Sequence, residues 1–303
     1  MISLKDLIVC PICHADLPLD AIARDGAGCC SRCGSRYHFQ QGVYNLTPVI
    51  PPDDILKSRW ATWQILQENG SLSYTSAPEF NLSVGQREDA LAFQEFSHPS
   101  GLILDIGCGP QEYPSYLPNG SDVVGIDPLL GQQPRGFAFV QGVGEYLPFR
   151  NHTFDHILYA TSLDHIIDPH RSLADAHRCL KPDGVISLWI DSQAPDFNSG
   201  DQSRWGRYGM LIKKGVRSLT RHGWLREIGL RRTLGYIGSV ARMNVPEGAI
   251  DYFHFEHLTV AAVSGWLDDI GLTIMRQQEY AAADSLFVQA ARQANRLYEA
   301  RTK

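Results

Sequence analysis

Two hydrophobic patterns alternate along the middle of this chain. Short unbroken apolar runs fall near residues 102–106, 122–126, 137–141, 154–160 and 185–190. They lack polar alternation, as strands buried on both faces of a parallel sheet do. Elsewhere apolar residues recur at helical spacing, as in Leu173, Ala176 and Leu180, then Val263, Trp266, Leu267 and Ile270. Asp168-Pro169 supplies an N-cap with proline at the first helical position, and Cys179 reads as core. Thr259 caps the later helix and Gly271 ends it. Two more strands follow near 272–280 and 284–290. Strand alternating with helix predicts a doubly wound α/β sheet. Ahead of it, Ile55, Leu56, Trp60, Trp63, Ile65 and Leu66 predict a helix from Asp53 to about Asn69 that Gly70 stops. A second helix is expected across Arg87–Phe96, with Leu91 and Phe96 apolar. Pro114 and Pro118 limit any helix after the first strand to a short one.

The first apolar run leads into Asp105-Ile106-Gly107-Cys108-Gly109-Pro110. Gly107 and Gly109 remove Cβ atoms where the backbone must pass close to a ligand. The second run ends in Asp127, about twenty residues on, a spacing that sets a carboxylate on ribose hydroxyls. Glycines alone are a weak signal. Strand, glycines and distant acid together are a strong one.

With these residues the chain resembles the class I S-adenosylmethionine-dependent methyltransferases of the type 11 kind. Glu145-Tyr146-Leu147-Pro148-Phe149 looks like the family's adenine-side motif. Phe154-Asp155-His156-Ile157-Leu158 looks like its fourth strand, and Leu180-Lys181-Pro182-Asp183-Gly184 like the turn into its fifth. The match covers residues 100–193 well and 250–291 loosely. It implies a Rossmann-like seven-stranded sheet whose last two strands are antiparallel, and S-adenosylmethionine as cofactor. It also implies that Asp105, Gly107 and Gly109 line the methionine end and that Asp127 accepts the ribose hydroxyls. Glu145 and Tyr146 would flank the adenine, with Thr161 and Ser162 facing the methionyl group. The chain departs from the pattern at Pro110-Gln111, where a third glycine is common, and at Val143, where many members carry Asp.

Five of the seven cysteines lie before residue 34. Cys10-x-x-Cys13, sixteen intervening residues and Cys30-x-x-Cys33 give zinc-ribbon spacing, with Gly34 suited to a left-handed turn. So short a segment has little core, and bound metal would supply the missing stability. Cys29 reads as the spare thiol, with a Cys29 ligand the alternative; His14 and His38 are runner-up ligands. The continuation Tyr37–Leu46 looks like the end of a Trm112-like zinc ribbon, a module found free as a methyltransferase activator or fused ahead of such domains. Four thiolates leave no open position, so the zinc would be structural. The 303 residues then divide into a ribbon (1–50), a helical linker or cap (51–99) and a methyltransferase domain (100–303) with a lid insertion at about 194–250. Pro48 and Pro51-Pro52 mark the first boundary.

The proton acceptor is expected at Asp164-His165, just past the fourth strand, because histidine titrates near neutrality. Asp251, His254 and His257 form a second cluster, for which packing beside Phe253 and Phe255 is the preferred role. The insertion carries ten Lys or Arg between Arg204 and Arg242 against one acid, Glu227, interleaved with aromatic and aliphatic residues. Such insertions form the lid over the acceptor in this class, which favours a small-molecule or glycan acceptor bearing phosphate. An RNA acceptor gripped by ribbon and lid is the second reading; a non-catalytic activator subunit is the third. Net charge is −6, against a general polyanion binder. No apolar run reaches the roughly 18–20 residues of a membrane span, so membrane contact would be peripheral. With thiol-rich spacing and no signal-peptide core, the expected compartment is the cytoplasm.

Overall fold

The computed structural model describes residues 3–49, 54–76, 88–131, 134–191, 238, 243, 245–250, 252–255, 258–280 and 285–292. The basic residues of the insertion, Arg204 to Arg242, and Asp251 and His257 lie outside them.

The first element is the short helix α1 (Leu4–Leu7), followed by α2 (Leu19–Asp25), β1 (Ala27–Cys29), β2 (Arg36–Gln40) and β3 (Val43–Asn45). Two long helices come next, α3 (Asp54–Ser76) and α4 (Glu88–Ser97). Then β4 (Leu102–Ile106), β5 (Asp122–Asp127), β6 (Ala138–Gln141) and β7 (Phe154–Ala160) lead to α5 (Pro169–Cys179) and β8 (Leu180–Asp191). The described chain closes with α6 (Val260–Asp269), β9 (Leu272–Tyr280) and β10 (Ser285–Arg292).

Among the described residues the strands form one sheet of order β1-β2-β3-β6-β5-β4-β7-β8-β10-β9. From β6 to β8 every pairing is parallel, while β10 runs antiparallel to both β8 and β9. Seven strands therefore make the doubly wound, mostly parallel class I sheet with its antiparallel end. The order reverses at β4, so the C-terminal ends of β4 and β5 open a crevice where such sheets bind ligands.

The ribbon strands continue this sheet. β3 pairs in parallel with β6, Tyr44 opposite Val140 and Asn45 opposite Gln141. Leu46 N–H donates to Gln141 O at 2.8 Å, and Ile8 bridges Phe149. One buried core accordingly runs from Cys10, Ile22, Tyr37 and Tyr44 into Leu104, Val124 and Phe154.

Three local expectations are corrected. Gly70 does not stop α3, which runs on to Ser76. Tertiary contact outweighs the glycine penalty: Asn69 donates from Nδ2 to Tyr252 O at 2.9 Å, and Ser73 is buried beyond it. After β4 the chain makes turns through residues 110–121 rather than a short helix, with Tyr113 Oη and Ser121 Oγ both bonded to Pro118 O. Leu180–Gly184 is a bulge inside β8: Phe154 faces Leu180, and the next partner, His156, already faces Val185. Pro182 is tolerated there because a bulge leaves its position without a ladder bond. In α4 the inward face is Ala90, Phe93 and Phe96, and Leu91 is exposed. The caps match expectation: Asp168 Oδ1 accepts from Arg171 N–H at 2.9 Å, and Thr259 Oγ1 from Ala262 N–H at 3.1 Å.

Candidate active site

A cavity of about 360 Å³ lies at the C-terminal ends of β4, β5 and β7, closed on one side by α3. Its floor is the turn after β4. Gly107 and Gly109 have φ of 75° and 66°, a region L-residues avoid. A Cβ on Gly107 would lie 2.4 Å from Ser162 Cβ, so glycine lets the ends of β4 and β7 meet. Ser162 Oγ donates to Ile106 O at 2.5 Å and Gly107 N–H to Ile126 O at 2.8 Å, which ties three strand ends together.

Asp127, at the end of β5, holds this turn. Its Oδ2 accepts from Gly109 N–H at 2.8 Å and its Oδ1 from Leu129 N–H at 2.7 Å. Each carboxylate oxygen keeps a further lone pair for a ligand hydroxyl. Burial pushes Asp127 up to about 6, against the pull of these N–H donors and of Arg135. Arg135 donates to Gly109 O at 2.9 Å and Leu129 O at 3.0 Å, bracing both loops.

Asp105 is fully buried one residue behind the cavity wall. Tyr116 Oη donates to its Oδ2 at 2.9 Å, whereas Oδ1 has no hydrogen-bond partner among the described residues. Desolvation raises Asp105 to about 7, with the Tyr116 hydrogen bond opposing and the Asp127 charge adding. An orphaned buried carboxylate oxygen is costly, and Asp105 stays behind the lining residues Ile106, Gly107 and Tyr116.

Glu145 lines the cavity, yet its Oε1 accepts from Ile167 N–H at 2.8 Å and Asp168 N–H at 3.4 Å, capping the turn into α5. Burial raises it to about 7. Tyr146 packs behind the cavity, with the Arg171 guanidinium 4.4 Å from its ring centroid. Val143 takes a buried place on the wall. Thr161 and Ser162 stand at the mouth, Thr161 at φ 54° with its N–H on Trp189 O at 3.1 Å.

The mouth of the cavity joins two clusters that lie far apart in sequence. His165 Nδ1 is 3.1 Å from Phe253 O, and the His165 and His254 rings stack at 4.4 Å. His254 Nε2 lies 3.5 Å from Asp164 Oδ2, and His165 Nε2 4.0 Å from Asp164 Oδ1. His254 thus belongs to the site rather than to packing alone; Phe255 is the buried core residue of that loop. Sequence reasoning also missed Tyr74, Ser73 and Gln67 of α3, whose helical spacing marked only an amphipathic helix.

In the ribbon, Cys10, Cys13, Cys30 and Cys33 bring their sulfurs within 4.8 Å of one another. Cys10–Cys33 and Cys13–Cys30 sulfur separations are 3.5 and 3.6 Å, near the roughly 3.8 Å edge of a tetrahedron with 2.3 Å Zn–S bonds. The two knuckles repeat one geometry. Cys10 N–H donates to Ala15 O and His14 N–H to Cys10 O; Cys30 N–H donates to Ser35 O and Gly34 N–H to Cys30 O. His14 and Gly34 both take positive φ, at 55° and 75°. Cys29 is exposed in β1, and neither His14 nor His38 joins the cluster. The four sulfurs fit a tetrahedral metal.

Residues 104–188 match the family described as "Methyltransferase domain". A chloroplastic 2-methyl-6-phytyl-1,4-hydroquinone methyltransferase 1 from Oryza sativa subsp. japonica is 30% identical over 114 residues, 34% of this chain and 34% of that protein. A demethylmenaquinone methyltransferase from Renibacterium salmoninarum is 31% identical over 96 residues, 29% of this chain and 40% of that protein. The chain thus spans well under half the length of these relatives. Among solved structures, a Burkholderia thailandensis 1,6-didemethyltoxoflavin-N1-methyltransferase has a TM-score of 0.48 at 13% identity, covering 87% of this chain and 97% of that one. Residues 104–188, from β4 into β8, thus match a methyltransferase domain, on a sheet whose strand order is that of the class I methyltransferase fold.

Proposed function

We propose that the protein transfers a methyl group from S-adenosylmethionine to a small organic acceptor. The carrying observation is the Gly109–Asp127 hydrogen bond, which fixes a Cβ-free turn and an acceptor carboxylate on one wall of a cavity of cofactor size. When bound, S-adenosylmethionine supplies a methyl group on a sulfonium. Asp127 would receive the ribose hydroxyls, Gly107 and Gly109 would border the methionine end with Thr161 and Ser162, and Asp105 would support that end from behind the wall. Val143 and Glu145 would border the adenine, with Tyr146 holding that wall from behind. Displacement at the methyl group needs donor and acceptor in line, and the fixed strand ends supply that positioning. Where the acceptor is a hydroxyl, His165 at the mouth, beside Asp164, is placed to take its proton.

The relatives that share this domain are named for a hydroquinone and for demethylmenaquinone, which favours a small organic acceptor over RNA. The ten bases of the insertion favour an acceptor bearing phosphate, and the cysteine-rich ribbon, which would hold a structural zinc, suits a reducing compartment such as the cytoplasm. Labelled methyl transfer to cell extract divided into RNA, lipid and small-molecule pools tests this. Label in the small-molecule or lipid pool is expected. Label confined to RNA, or none in any pool, overturns the acceptor class.

A further inference from the structure

We propose that Asp164, His165 and His254 form a second metal site, distinct from the ribbon, that holds a divalent first-row cation at the mouth of the cavity. Three features of the cluster carry this.

The first is the tautomer of His165. A carbonyl oxygen only accepts, so the 3.1 Å contact to Phe253 O puts the proton on Nδ1. In the neutral ring, Nε2 then carries a lone pair, and it faces Asp164 Oδ1 across 4.0 Å. Deprotonated, Nε2 can share a metal cation with Asp164 Oδ1; protonated, the same two atoms form an ion pair, so a metal competes with a proton for this position. A main-chain carbonyl on the far nitrogen is also the outer support that metal-bound histidines use to fix ring and tautomer.

The second is convergence. His254 stacks on His165 with ring centroids 4.4 Å apart, and its Nε2 is 3.5 Å from the other carboxylate oxygen. Both Nε2 atoms therefore approach one carboxylate, and the ligand atoms of all three residues lie within 4.8 Å of one another. Donors at about 2.1 Å in tetrahedral or octahedral sets sit about 3.0–3.4 Å apart, so small side-chain movements close the site. Two stacked imidazolium rings would repel each other, whereas one shared cation satisfies both rings and the carboxylate.

The third is the open side. Two imidazoles and a carboxylate leave coordination positions vacant, unlike the four thiolates of the ribbon. His165 and His254 line the cavity, so those positions face the space where the acceptor would enter. The ligand expected there is an acceptor oxygen, such as a phenol, enol or hydroxyl. That part rests on the function proposed above. With metal bound, the cluster acts on the acceptor as a Lewis acid rather than through His165 as a free base.

Zinc content per chain tests the site. The purified full chain is incubated with excess zinc, desalted and analysed for metal, with S-adenosylmethionine binding measured on the same samples. Two zinc ions per chain are expected in wild type. Asp164→Asn and His254→Gln should each retain one, and Cys13→Ser should lose the ribbon ion while keeping the cavity ion. Cobalt gives a second reading: the cavity ion should add a weak d–d absorption without thiolate charge transfer, absent in H254Q. One zinc in wild type, or a second zinc that persists in both D164N and H254Q, overturns the site. S-adenosylmethionine binding with only one zinc removes the metal alone; two zinc ions without cofactor binding remove the function it was joined to and keep the metal.

Discussion

The backbone N–H of Gly109 donates to Oδ2 of Asp127 at 2.8 Å, so the turn after β4 is fixed by the acid that ends β5. Parallel pairing of the two strands, Ile106 opposite Ile126, delivers these groups side by side. Arg135 then braces the turn by donating to Gly109 O. The cavity wall is preorganised, and a ligand would add contacts to it rather than build it.

The burial that pushes Asp127 up to about 6 gives cofactor affinity a pH dependence. Ribose hydroxyls are held best by the ionised carboxylate, so affinity should be flat above about pH 7 and weaken as pH falls through about 6. One proton limits the slope to about tenfold per pH unit. In the unliganded protein the sign is opposite. A carboxylate with a raised pKa contributes most to stability when protonated, below its unfolded value, and that contribution is lost as pH rises through about 6. Calorimetric titrations from pH 5 to 8 should show the affinity change in wild type and a flattened profile in Asp127→Asn.

Gly107→Ala should unfold the protein at lower temperature and remove cofactor binding. The added Cβ would meet Ser162 Cβ at 2.4 Å, and the residue sits at φ 75°. Strain of this kind costs on the order of 1–3 kcal/mol before the clash is counted. Thermal denaturation with circular dichroism checks it; an unchanged midpoint contradicts the close approach of the two strand ends.

The sheet was legible in the sequence because its strands are buried on both faces and read as unbroken apolar runs. Asp105, Gly107, Gly109 and Asp127 could be grouped because strand, turn and distant acid occur at fixed spacing; the fold brings the last three to the cavity and leaves Asp105 behind its wall. His254 was read only as part of a second cluster with packing preferred, because its partners Asp164 and His165 lie about ninety residues earlier and meet it only through the fold. The extent of α3 was not legible: Gly70 carries a local stop signal, but Ser73 beyond it is buried and Tyr74 reaches the cavity, contacts no periodicity records. The joining of β3 to β6 was equally hidden, since edge pairing leaves no mark in either strand's own pattern.

Cys13→Ser should reduce ribbon metal by one ion per chain and lower stability together. Folding around a structural zinc draws on metal binding. Because β3 extends the main sheet beside Gln141, whose Nε2 donates to Pro128 O, the loss should also loosen the loop after Asp127. Metal analysis with hydrogen exchange at residues 128–131 reads both effects. A metal-free ribbon with unchanged stability contradicts a structural zinc.

Neutralising Lys213, Lys214 and Arg217 together should raise the acceptor KM and leave cofactor affinity intact. High salt should mimic the triple variant, because attraction between exposed charges is screened over about 8–10 Å at physiological ionic strength. Steady-state kinetics on the acceptor found by fractionation provide the check. Equal KM with no salt dependence would reduce the basic stretch to a solvated surface.

Calorimetric titration of S-adenosylmethionine into wild type and Asp127→Ala is the most direct measurement. One site per chain is expected in wild type, with affinity about 5- to 150-fold weaker in the variant, corresponding to about 1–3 kcal/mol for a charge-assisted hydrogen-bonding partner. Asp127→Asn, which keeps an acceptor oxygen for the Gly109 N–H, should fall between the two. No binding to wild type, or equal affinity in wild type and Asp127→Ala, would contradict the assignment of this cavity to the cofactor.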